Sequence, residues 1–117
     1  MVEFVMVLPI LLAMVLGIAQ VGLVYNNWLT LTDAVRAGAR KAAVSRTNGN
    51  RDQDIKNAVK ASATDLTQSS LVVDTPTSTW VPGDNVTVCA HYPYSINLII
   101  VSVKSGNLDA CTTERVE

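Results

Sequence analysis

Charge is scarce in this chain and absent from one whole part of it. Asp, Glu, Lys and Arg make up 16% of the 117 residues, and the 29 residues from Phe4 to Thr32 contain none of them. The formal net charge of −1 excludes a strongly basic nucleic-acid binder, and the length excludes a large multi-domain enzyme. There are two cysteines and one histidine. Without a CxxC spacing, a metal or redox motif has no basis. No phosphate loop, zinc spacing, nucleotide fingerprint, internal repeat or low-complexity tract occurs. His91 has no nucleophile and no orienting acid near it in the sequence, so it reads as a surface or edge-strand residue. The expectation is a protein that is not an enzyme and holds no cofactor and no metal.

The charges that do occur are segregated. From Asp33 to Lys60 seven basic residues face three acidic ones, a net +4; from Asp65 to Glu117 two basic residues face six acidic ones, a net −4. A positive stem and a negative head can steer identical subunits into a head-to-stem array, although ordinary solvated charge gives the same count.

Residues Phe4 to Ala19 are almost wholly apolar, and the uncharged stretch continuing to Thr32 would form a helix roughly 44 Å long. Three readings compete: a removable signal, a permanent membrane anchor, and a helix that leaves the membrane to pack with its own copies. Gly17-Ile18-Ala19 has the small-x-small form of a cleavage site, but Met1-Val2-Glu3 carries an acid where a signal peptide has Lys or Arg. For an anchor, Arg36, Arg40, Lys41 and Arg46 after the span would hold the C-terminal part in the cytoplasm. Two cysteines and a strand-rich tail point to the opposite side. A basic leader, removed after setting the orientation, reconciles these signals, and Met1 then need not be the initiator.

Within the segment, Glu3 is costly to desolvate and calls for a partner, such as a free α-amino group; alternatively it sits in interfacial water, where the helix dipole favours an acid. Pro9 removes the backbone bond to Val5 and should loosen the first turns. Gly17 and Gly22, with Ala13 and Ala19, leave shallow places where another helix can approach.

Strong helix formers continue from Asp33, which predicts one helix over Val2 to Val44. Asn48-Gly49-Asn50 marks a loop. A second, amphipathic helix is expected from Asp52 to Leu66, with Ile55, Val59, Ser62 or Ala63, and Leu66 on one face. A short strand is expected at Leu71–Asp74 and a second short strand or its edge at Thr79–Val81, then Val86–Tyr92 ended by Pro93, Ile96–Val103, a turn at Ser105-Gly106-Asn107, and Leu108–Val116, about four antiparallel strands in all. The class is therefore α+β: a long N-terminal hydrophobic α-helix, a short second helix and a small antiparallel β-sheet head. Residues 1–44 form the membrane or filament-core helix and its stem, and 45–117 the head domain.

The opening Val2-Glu3-Phe4-Val5-Met6-Val7-Leu8-Pro9, the stem Leu29 to Arg40, the run Tyr92-Pro93-Tyr94-Ser95 and the terminal Glu114-Arg115-Val116-Glu117 together resemble the TadE-like proteins of the Tad/Flp branch of bacterial type IV pili. The resemblance implies a prepilin-like subunit of a type IV pilus, major or minor. Such a subunit is cut from a short leader by a prepilin peptidase, held in the inner membrane by its helix, and extruded by the assembly machinery into an extracellular filament of identical subunits. It also implies an aligning acid near the mature N-terminus, at Glu3 here, where pilins usually place it fifth. The residues implicated in assembly are Met1, Glu3, Phe4, Pro9, Gly17 and Gly22. The alternative is a bitopic membrane protein with a non-polymerising extracytoplasmic binding domain.

Cys89 and Cys111 fall in neighbouring predicted strands, and an even pair in an exported domain most simply forms a disulfide, against the alternative of two buried thiols. Asn85-Val86-Thr87 fits a glycosylation sequon, so Asn85 is a candidate for modification.

Overall fold

The computed structural model describes residues 2–75, 79–98 and 101–117. Helix α1 runs Val2–Val44, unbroken across Pro9, and α2 runs Arg51–Ser62. Strand β1 (Val72–Asp74), β2 (Asn85–Leu98) and β3 (Val101–Arg115) form one antiparallel sheet in the order β1-β2-β3. The fold is α+β, and the molecule is elongated, with extents of 71 × 23 × 19 Å.

The core sits at one end of α1. Leu31, Ala34, Val35, Gly38, Ala39, Ala42 and Ala43 recur at three-and-four spacing and are all buried. Ile55 and Val59 of α2 and the inward row Val86, Val88, Ala90 of β2 close over them. Gly38 is where the helices meet most closely: a Cβ built on it would overlap the Val59 side chain.

Helix α2 begins one residue earlier and ends four residues sooner than the amphipathic pattern predicts. The Ala63 backbone leaves helical geometry at φ −98°, ψ 47°. Gln68 adds to this helix end, its Nε2 donating to the carbonyl oxygens of Lys60 (3.2 Å) and Ala63 (2.9 Å), which also accept the backbone N–H groups of Ala63 and Leu66. Leu66 still reaches the core, but from a turn.

The sheet differs from expectation in four places, the first three with a local cause. No strand forms at Thr79–Val81, because Trp80 takes φ +56° and reverses the chain, with the predicted turn at Gly83 (φ +93°) directly after it. Pro93 does not end β2. Beside β1 the strand pairs only through Cys89–His91, so at Pro93 its second edge is open and a missing N–H removes no ladder bond. Ser105-Gly106-Asn107 is not a turn but lies inside β3, opposite Ser95, Tyr94 and Pro93. Glycine serves there to admit the Tyr94 ring, which a Cβ would meet at 3.2 Å. The segment expected as one strand over 96–103 is divided between β2 and β3, which pair as far as Leu98 with Val101. Among the described residues three strands result where about four were expected. Of the expected elements, the loop residues 76–78 and strand residues 99 and 100 lie outside the described residues.

Candidate assembly helix and the face of the head

From Val2 to Leu16 every residue of α1 is exposed, including Phe4, Leu8, Leu12 and Leu16. This half of the helix is long and apolar enough to cross a membrane, and none of its most apolar 18-residue window is buried in the protein. Glu3 is exposed in the first turn, where the N-terminal end of the helix dipole favours a carboxylate. Among the described residues no cation pairs with Glu3. Met1 lies outside them. Gly17, with Met14, Ile18 and Val21, lines a shallow apolar recess. Gly22 has open space where a side chain would go.

Higher on α1, the positions Gln20, Val24, Asn27 and Leu31 form a covered stripe at three-and-four spacing. The β2–β3 hairpin lies along this stripe. At its far end Gln20 Nε2 donates to the carbonyl of Asn97; at its root the Glu117 N–H donates to the Ala43 carbonyl at 3.2 Å. The amide of Gln20 was not among the candidate residues. Its signal was that it interrupts an otherwise apolar run, but its partner is 77 residues away in sequence.

The outward face of the sheet carries a row of cross-strand pairs. Cys89 and Cys111 stand directly opposite each other, with Cα atoms 4.1 Å apart, and form a disulfide. On one side Thr87 Oγ1 and Thr113 Oγ1 lie 2.7 Å apart. On the other, His91 bridges all three strands: Nδ1 is 2.6 Å from Asp109 Oδ1 and Nε2 is 2.9 Å from Asp74 Oδ2. The hydrogen bond to Asp109, and then that to Asp74, raise the His91 pKa above its ordinary value of 6.5. Two carboxylates thus attend the histidine that the sequence left without an acid, and they favour its protonated form. Asn85 is exposed and opens β2 next to the Gly83 turn. Arg51, at the start of α2, lies 5.0 Å from the Trp80 ring centroid, a cation–π contact.

The family model described as TadE-like protein matches residues 1–40. Over these residues the helix is similar to TadE-like proteins. The matched segment covers the exposed apolar half and most of the buried stripe, and it points to a protein associated with the Tad pilus. No curated protein and no solved structure matches the chain.

Proposed function

We propose that this TadE-like chain is a structural, non-catalytic subunit of a bacterial Tad/Flp-type pilus, as major or minor pilin. The observation that carries the reading is a helix with two environments: one end sealed in the head core, the other presenting large apolar side chains on every face. In the inner membrane, after processing by a prepilin peptidase, lipid covers that surface. In the extracellular filament, identical helices do. Moving from lipid to protein gains little from the hydrophobic effect, so close approach at Gly17 and Gly22 and polar pairing of Glu3 must favour the bundle. The pilus assembly machinery supplies the work of extraction, and the +4 stem and −4 head orient neighbouring subunits.

Electron microscopy of sheared surface material from cells carrying native chain, Glu3→Gln or Glu3→Ala tests this. Filaments containing the native chain, with yield abolished in both variants while membrane insertion persists, are the expected result. A native chain found only in the membrane, as monomers or small complexes, would sink the polymer reading and leave the bitopic binding protein.

A further inference from the structure

The hairpin and α1 are tied at two heights, Ala43 to Glu117 at the root and Gln20 to Asn97 at the far end. Between the ties the helix rises about 35 Å and the extended strand about 45–50 Å, so the rises are unequal and levels are matched from the nearby Gln20–Asn97 tie. Tyr25 and Trp28 stand about 8 and 12 Å above Gln20 on the helix. Tyr94 stands about 10 Å above Asn97 on the strand. Three of the six aromatic residues therefore share one level. Tyr25 is 59% and Trp28 39% exposed, with ring centroids 5.9 Å apart, although neither covers the core. Charge is sparse at this level: α1 has none from Phe4 to Thr32 and β2 none from Tyr92 to Leu98, while on β3 the exposed Lys104, opposite Ile96, stands about 3 Å above Asn97.

We propose that the partner of this level is a lipid bilayer surface: hydrocarbon ends near Gln20, and Tyr25, Trp28 and Tyr94 form an aromatic belt in the headgroup layer, with Lys104 facing lipid phosphate. The proposal rests on the membrane-anchored state of the proposed subunit. Two opposite penalties bracket the depth. Immersion to Thr32 would carry Asn26, Asn27 and the open edges of β2 and β3 into hydrocarbon, where unpaired backbone N–H and C=O groups are not tolerated. A shallower position would leave Leu12, Val15 and Leu16 in water. With the boundary at Gln20, the 18 residues Val2 to Ala19 span about 27 Å, close to the thickness of a bilayer core.

The test uses the full chain in phosphatidylcholine–phosphatidylglycerol vesicles containing lipids brominated near either the carbonyl end or the methyl end of the acyl chain. The native chain should lose emission mainly to carbonyl-end bromines. Trp28→Phe should abolish that loss, since Trp80 lies at the far end of the head. Adding Tyr94→Trp to Trp28→Phe should restore it. Quenching of Trp28 chiefly by methyl-end bromines would overturn the proposed depth. Absence of quenching at position 94 in a chain that floats with the vesicles would overturn the hairpin contact alone. Failure of the native chain to float would remove membrane anchoring, and this proposal with it. The Trp28 measurement leaves the hairpin unaltered, so a misfolded position-94 variant does not block the test.

Discussion

The two halves of α1 use side-chain size in opposite ways. Towards its N-terminus the helix exposes Leu, Val, Ile and Met on every face; from Leu31 to Ala43 it buries a stripe made largely of Ala, Gly and Val. Small residues bring α2 and the sheet close to the helix axis, so the head gains contact density without many large apolar groups. The large groups stay outside the head, each able to gain about 1.5–3 kcal/mol when fully removed from water. One half is built to complete a fold, the other to be completed by its surroundings.

Loss of the disulfide should separate the halves most strongly. Replacing Cys89 and Cys111 together by Ser should cost the head about 3 kcal/mol on the chain-entropy model, a large share of the stability of so small a core. Denaturant unfolding of the full chain in detergent should show a lower midpoint for the sheet while the helical signal of the N-terminal half persists. Equal midpoints for the native and double-Ser chains would mean that the strands hold without their covalent staple.

Two glycines on the same helix sharpen the contrast. At Gly38 a methyl group would overlap Val59, whose branched side chain has little freedom to move, whereas at Gly22 it meets open space. Gly38→Ala should destabilise the head by about 1–3 kcal/mol through overpacking, outweighing a helix-propensity gain of up to about 1 kcal/mol. Gly22→Ala should leave head unfolding unchanged. Comparable midpoints for the two variants would show that α2 can yield at Val59 and that the close approach is not a constraint.

Local chemistry made α1 legible in the sequence from end to end: uninterrupted apolar residues, then strong helix formers, with a loop signal at Asn48-Gly49-Asn50. The cysteine pairing and the α+β class were legible for similar reasons. The sheet register was not. Pro93 and Gly106 carry the usual marks of punctuation, yet one occupies an open strand edge and the other makes room for a tyrosine ring, and both roles exist only once the neighbouring strand is in place. That register sets His91 opposite Asp109, and the short β1 brings Asp74 to its other nitrogen. The Gln20–Asn97 contact was hidden for the same reason, since only the hairpin's length and direction bring its end to that turn of the helix.

The smallest expected effect lies at His91, and it should be confined to the head. Its pKa is raised by Asp109 and Asp74, so the protonated ring bridges β1, β2 and β3 with a charge on each contact. A group whose folded pKa is raised contributes stability that is fully present below its unfolded value, here 6.5, and is lost as pH rises through the higher folded value. The side chain is 35% exposed and both carboxylates are more open still, so solvent screening limits the contribution to about 1 kcal/mol or less. Denaturant midpoints of the native chain should therefore fall slightly as pH rises above neutrality, and those of His91→Gln should not. The ring lies in the head, so replacing it should leave flotation with vesicles unchanged. A native midpoint that rose with pH over the same range would reverse the sign and show that the neutral ring, not the imidazolium, is the form that holds the strands together.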